Sequence, residues 1–392
     1  MRAVTTSFAV DWKLDDLAGS DGYLFARNGV GVAGRGVAAR VPAGKASALL
    51  RSIEHEDASD GQAGPVAIGA LPFLPGTPAE LVVPSVVLTC TPDGQRWLTL
   101  VDGASANVEP RVPPVPSAAT FTVRPLTPIA DYLAAVTSAR DEVRWSRLSK
   151  AVIARDVLIE SDHPIDIHAV LLRLRASHGS SYRYSVEGLV GASPELLVSV
   201  DGNVVRSHPL AGTAARTGDT ETDERLAEQL IASTKNQVEH RVVIEMVHDT
   251  LLPWCSYLDW EPEPSVVEIA NIQHLGTAIE GRLSDPPPDV MDLVTALCPT
   301  PALGGFPRAA ALDLIAAVEG FERGRYGGAV GWVDARGNGT WAVTIRCAEL
   351  SDDRHSARLV AGGGIVEASD PFLELAETQA KLQAMLSAII RP

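Results

Sequence analysis

The sequence is short of basic residues. Its 392 positions hold 33 Lys and Arg against 49 Asp and Glu, a formal charge of −16. That balance excludes the broad basic footprint that nucleic acid or an acidic membrane surface requires. An anionic ligand must be captured against the global field, by a metal ion or a placed Arg or Lys. Cysteine is also scarce: Cys90, Cys255, Cys298 and Cys347 are scattered, with no Cys-x-x-Cys pair. They read as reduced core thiols; a disulfide or a thiol nucleophile is the other reading. No apolar run is long enough to span a bilayer. Asp11, Asp15 and Asp16 come too early for a secretory leader, so a cytoplasmic protein is expected. There is no internal repeat and no low-complexity tract. What remains is an ordinary globular composition, 46% hydrophobic and 21% charged. The length allows two or three average domains or one large one.

Residues 1–110 read as short strands and turns. Gly29-x-Gly31-x-x-Gly34 matches a dinucleotide fingerprint, but no long amphipathic helix follows and Pro42 soon breaks the chain. Val82 to Thr89 and Trp97 to Val101 flank a Thr-Pro-Asp-Gly turn, a hairpin pattern. Prolines cluster between Glu109 and Pro128, which marks a connector between a segment 1–120 and a segment 121–392. The pattern then predicts a helix from Ile129 to near Leu148 and a strand from Lys150. Another helix is expected over His168–His178, with strands over Ser181–Glu187 and Glu195–Val200. Gln273 to Arg282 also reads as strand-like. Helices are expected over Asp289–Leu297, Ala309–Val318 and Phe372–Ile389. Tyr326–Val333 and Thr340–Leu350 read as a hairpin, with Arg346 on the polar side of its second strand. Helices and strands do not alternate regularly, so the fold class is α+β rather than a doubly wound parallel sheet.

The stretch Arg206 to Arg241 stands apart. A Pro209-Leu-Ala-Gly-Thr turn has almost no side chain to pack, so its backbone is free to approach something else. An acidic helix follows, with Asp219 and Thr220 as capping residues. In the next helix Glu239 shares a face with Val243, Met246 and Thr250. A carboxylate on an apolar stripe must be paired, protonated or bound to metal. Glu374, Glu377 and Lys381 share a face of the last helix, either as a solvated surface or as part of a site for a hard divalent ion. Lys150 is a strand-end lysine, or, if buried beside a cavity, a general base. Glu195 is a strand-start carboxylate, or, in an apolar pocket, a general acid. The fork of Arg346 suits a carboxylate. The Gly362-Gly-Gly run either presents N–H groups to an anion or forms a bulge. His274 is either a satisfied core histidine or a site residue.

Eight short motifs occur in one order. They are Lys150-Ala-Val-Ile-Ala-Arg, Gly191-Ala-Ser-Pro-Glu-Leu-Leu, Pro209-Leu-Ala-Gly-Thr, Lys235-x-x-x-Glu-His, Cys298-Pro-Thr-Pro-Ala-Leu-Gly-Gly-Phe-Pro, Tyr326-Gly-Gly-Ala-Val-Gly-Trp, Val343-Thr-Ile-Arg-Cys-Ala and Ala361-Gly-Gly-Gly-Ile-Val. Together they resemble the chorismate-utilising enzymes, most of all the isochorismate synthases of siderophore and menaquinone pathways. The resemblance covers roughly Pro125 to the C-terminus.

The resemblance implies one large α+β domain with large antiparallel sheets and helices packed outside. It implies Mg²⁺ as cofactor, held by Glu239, Glu377 and Glu374. Tyr326, Arg346, Gly362 and Gly364 would bind the enolpyruvyl carboxylate of chorismate, with Lys381 near the metal-side anions. Gly212, Thr213, His274 and Ala302 would line the ring. Lys150 would activate water for attack at C2, and Glu195 would protonate the departing C4 hydroxyl. The lysine at 150 separates the chain from ammonia-using relatives such as anthranilate synthases. Ala211 stands where aminodeoxychorismate synthases place a lysine. Ala302 and Ile345 resemble the isochorismate-only group, whereas Tyr326 resembles salicylate synthases, which go on to eliminate pyruvate. Asn236 stands where relatives often carry an acid. A monomer is expected, since no hydrophobic seam is evident.

Overall fold

Consecutive residues of the Tyr23–Arg27 strand belong to different cores, because side chains alternate along a strand. Phe25 packs with Val198 and Val330, while Leu24 and Ala26 pack with Leu171, Leu174, Leu382 and Met385. The first group comes from a second sheet and the second from helices Ile167–Ser177 and Pro371–Ile390. The larger sheet is therefore covered by strands on one face and helices on the other. The computed structural model describes residues 1–105, 109–112, 119–145, 148–269 and 272–391. The Lys235 side chain and connector prolines Pro113, Pro114 and Pro116 lie outside that set.

Among the described residues there are a thirteen-stranded, a nine-stranded and a three-stranded sheet. Pairing is antiparallel except between Arg2–Ser7 and Glu54–Asp57. The fold is α+β with large antiparallel sheets. The first 120 residues are woven into both large sheets: Tyr23–Arg27 pairs with Tyr182–Val186, and Val66–Leu71 with Ala329–Asp334. Helices are stopped and started by local chemistry. Asp219 accepts from the Thr222 amide, Ser233 from Asn236, and Asp370 from Phe372 and Leu373. Each such cap contributes about 1 kcal/mol.

Three of the connections that pass from one sheet to another carry candidate residues or adjoin them. Leu189–Ser193 lies in the largest sheet and Leu196–Asp201 in the nine-stranded one, with Pro194 and Glu195 between. Gly339–Val343 and Cys347–Leu350 are split in the same way, with Thr344, Ile345 and Arg346 between. Val204–His208 passes through Pro209 into Leu210–Ala215 of the small sheet.

Four expectations are corrected. Thr340–Leu350 is not one strand: it breaks at residues 344–346, where Arg346 takes φ +52°. Pro209–Thr213 is not a turn but the start of a strand with a bulge between Ala211 and Thr213, where Gly212 takes φ +71°. Pro84 and Ser85 divide Val82–Thr89 into Glu80–Val83 and Val86–Cys90. Gln273–Arg282 is two strands, Ile272–Gly276 and Ile279–Leu283, in different sheets. Over residues 340–350 the alternation continues across the break, so the pattern alone does not reveal it. The tri-glycine is no bulge: Gly362, Gly363 and Gly364 pair in register with Ala154, Ile153 and Val152.

Candidate active site

The three sheet crossings face one cavity of about 60 Å³, lined by Lys150, Glu195, Gly212, Thr213, Glu239, His274, Ala302, Tyr326, Arg346, Gly362, Gly364, Glu377 and Lys381. Of the fourteen residues singled out from the sequence, Glu374 alone does not line it. Two larger clefts, of about 300 and 390 Å³, contain none of them. Convergence of ionisable groups, rather than size, marks the candidate.

Lys150 opens the Lys150–Ser161 strand and is 2% exposed. Its Nζ lies 2.8 Å from Glu239 Oε1. The Lys381 Nζ lies 2.6 Å from Glu377 Oε1 and donates to the Gly362 carbonyl at 2.8 Å. That carbonyl is available because Cys347–Leu350 pairs with Ser356–Ile365 only as far as Leu359. The tri-glycine is needed for close approach. A Cβ at Gly364 would meet Glu239 Oε1 at 2.5 Å and Lys150 Cε at 2.7 Å. A Cβ at Gly363 would meet Glu374 Oε2 at 2.7 Å. Neighbours on a regularly paired strand face opposite sides. Glu239 and Lys150 thus stand on the cavity side, and Glu374 stands on the helix-packed side near Tyr132.

Glu195 is buried at its crossing, and burial pushes its carboxyl up to about 7. A hydrogen bond from the Leu210 backbone and the charges of Lys150, Arg346 and Lys381 oppose that rise. The acid therefore holds a proton near neutral pH. Burial, then the Arg346 charge, pushes His274 down to about 3. Its imidazole is neutral. Arg346 can only donate, so His274 Nε2 accepts from it at 3.1 Å. His274 Nδ1 then carries the proton and donates to the Gly212 carbonyl at 2.8 Å. One histidine links the bulge to the guanidinium. Burial likewise pushes the Tyr326 phenol up to about 12, leaving it a neutral donor. Asn236 packs under the bulge, 3.1 Å from where a Gly212 Cβ would lie.

Among the described residues no three His, Cys, Asp or Glu side chains close into a metal-holding group. Glu239 and Glu377 nevertheless reach the same cavity. Two carboxylates suit Mg²⁺, which takes one or two protein carboxylates and completes its shell with water or substrate oxygens. Pro194, Leu210 and Leu303 also line the cavity and were missed; each adjoins a motif residue, which was the available signal.

Comparison with known proteins shows the family. The chain matches a family described as chorismate binding enzyme over residues 104–390. A putative isochorismate synthase MenF of Mycobacterium tuberculosis is 42% identical over 338 residues, covering 83% of this chain and 86% of the relative. The isochorismate synthase DhbC of Bacillus subtilis is 37% identical over 340 residues, covering 84% and 82%. Among solved structures, the menaquinone-specific isochorismate synthase MenF of Escherichia coli superposes with TM-score 0.85 at 25% identity, covering 99% of this chain and 94% of that one. A putative 2,3-dihydroxybenzoate-specific isochorismate synthase of Bacillus anthracis gives 0.80 at 33%, covering 96% and 97%.

Proposed function

This chain belongs to the chorismate binding enzyme family, and from that premise we propose that it is an isochorismate synthase. One observation carries the reading: a buried lysine and a buried glutamic acid, whose carboxyl burial pushes up to about 7, line the same cavity beside two carboxylates and a buried arginine. A base and an acid must both be present to add water at one carbon and expel hydroxyl from another. The relatives named isochorismate synthase, at 34–42% identity, support the same reaction.

In this reading Lys150 takes a proton from water as the water oxygen bonds to C2 of the ring. The ring diene shifts by one position and the C4–O bond breaks. Glu195 gives its proton to the departing hydroxyl, which leaves as water. Lys150 ends protonated and Glu195 ionised, so the proton must return before the next turnover. Arg346, Tyr326 and the backbone at Gly362 and Gly364 would hold the enolpyruvyl carboxylate. Gly212, Thr213, His274 and Ala302 would pack on the ring. Glu239 and Glu377 would hold Mg²⁺, with Lys381 beside them; Glu374, across the strand, would act only from a distance. Bound Mg²⁺ would neutralise the ring carboxylate. The product would feed siderophore or menaquinone synthesis, since a vibriobactin-specific and a menaquinone-specific isochorismate synthase are both similar to this chain.

The test is incubation with chorismate, with and without Mg²⁺, followed by chromatography near neutral pH. Isochorismate accumulating with chorismate, only when Mg²⁺ is present, is the expected result. Salicylate with equimolar pyruvate would replace this reading with salicylate synthase. Saturable chorismate binding without turnover would make the chain a binding protein.

A further inference from the structure

Arg346 is a backbone exception at the centre of the site. It takes φ +52°, in the left-handed region that is unfavourable for a non-glycine residue. It is 8% exposed and sits where the chain leaves one large sheet for the other. Backbone bonds with Gly327 and Gly328 hold Thr344, so what remains to be set are the peptide planes on either side of Arg346.

The fixing contacts are specific. Tyr184 is fully buried in the Tyr182–Val186 strand. Its hydroxyl donates to the Ile345 carbonyl at 2.9 Å. The Ala192 amide donates to the Arg346 carbonyl at 3.1 Å. The planes on both sides of the Arg346 Cα are therefore pinned from the largest sheet. Tyr184 reaches Ile345 by passing over its cross-strand partner, Gly191. A Cβ at Gly191 would lie 2.6 Å from the Tyr184 hydroxyl and 2.7 Å from the Arg346 carbonyl. That closeness explains the glycine that opens the Gly191-Ala-Ser-Pro-Glu motif.

We propose that Tyr184, passing over Gly191, is a positioning residue that holds Arg346 in the conformation that aims its guanidinium into the cavity. Tyr184 does not line the cavity. It acts through the Ile345 carbonyl. The inference rests on the proposed function in one respect: the anion that Arg346 receives is taken to be the enolpyruvyl carboxylate. Loss of the hydroxyl leaves the Ile345 carbonyl buried and without that donor. The peptide can then rotate and release Arg346 from its unfavourable φ. Arg346 still bonds to His274, so the guanidinium stays in the cavity but misaligned. The effect falls on substrate binding, not on Lys150 or Glu195.

The test is Tyr184→Phe, which keeps the ring and its packing. The expected result is a rise of about tenfold in KM for chorismate with kcat within about twofold, the scale of one lost hydrogen bond. The comparison variant is Thr99→Val. Thr99 is also fully buried, and it bonds to Thr5 Oγ1 at 2.8 Å outside the cavity lining. It should lose thermal stability with KM unchanged. An unchanged KM in Tyr184→Phe, or the same KM shift in both variants, overturns the proposal. A crystal structure of Tyr184→Phe provides a readout independent of substrate. Arg346 leaving φ +52° supports the proposal and Arg346 retaining it overturns it. If the unaltered protein does not act on chorismate, the proposed function fails, and the structure of the variant still decides this inference.

Discussion

Lys150 Nζ lies 2.8 Å from Glu239 Oε1, so the proposed base is ion-paired with a proposed metal carboxylate. Lys381 and Glu377 repeat the arrangement at 2.6 Å. Glu239 and Glu377 are each satisfied by a lysine of this chain. A divalent ion that takes the Glu239 or Glu377 oxygen now facing a lysine would displace that lysine.

That arrangement sets the metal prediction. Mg²⁺ should raise the melting temperature in a concentration-dependent way, as any ligand of the native state does. Glu239→Gln and Glu377→Gln should each lose that rise and the Mg²⁺-dependent activity. Glu374→Gln should keep most of both, because Glu374 lies against Gly363 and does not line the cavity. Thermal scans against Mg²⁺ for the three variants check this. Equal losses in all three would place Glu374 in the metal site.

Lys150→Ala should lower turnover by about two to four orders of magnitude, the usual worth of a positioned base. Chorismate affinity should change far less. Single-turnover assays alongside equilibrium binding would separate the two. Activity within a few-fold of the parent protein would remove Lys150 from the reaction.

Glu195 sets a pH limit with a definite sign. Its folded value of about 7 lies above the ordinary 4.5. The active form is protonated, so kcat/KM should fall as pH rises through about 7. Stability follows the same sign. Folding binds a proton between pH 4.5 and 7, so the contribution is full below 4.5 and lost as pH rises through 7. Glu195→Gln should therefore be inactive yet more stable than the parent at pH 8, by on the order of 3 kcal/mol. Denaturant melts of both proteins at pH 5 and pH 8 would show it. A difference independent of pH would contradict the buried protonated acid.

Glu319 and Arg323 make a second buried ion pair, both almost fully enclosed. Glu319 accepts from the Ala154 amide at 2.7 Å, and Arg323 donates to the carbonyls of Val152 and Leu303, each at 2.7 Å. The pair clips the Lys150 strand to the loop that carries Ala302. Glu319→Ala leaves Arg323 buried without its carboxylate and should cost about 3–5 kcal/mol. A chemical denaturation midpoint within error of the parent would show that the clip is dispensable.

Much of this architecture was legible in the residues. The strand from Lys150, the helices over 167–177 and 371–390 and the α+β class follow from period and capping. Where reading failed, the cause was tertiary. Trp341, Val343, Ile345 and Cys347 alternate without interruption, yet the chain changes sheets among them. Nothing in a period-two pattern records which sheet a strand joins. Glu374, Glu377 and Lys381 share a helical face, yet Glu374 lies against Gly363 and Tyr132 and does not line the cavity. Spacing fixes a face, not what stands in front of it. The motifs supplied what periodicity could not, because they mark the crossings themselves.

Those crossings also bear on how the protein comes to be active. Lys150, Glu239 and Gly364 meet although long stretches of chain separate them. Contacts of such sequence separation form late, since loop closure must precede them. A partly folded state in which any of these segments is undocked cannot hold this site, however much helix and sheet it contains. During refolding, far-ultraviolet circular dichroism should recover well before catalysis does, and the first turnover would report assembly of the entire chain.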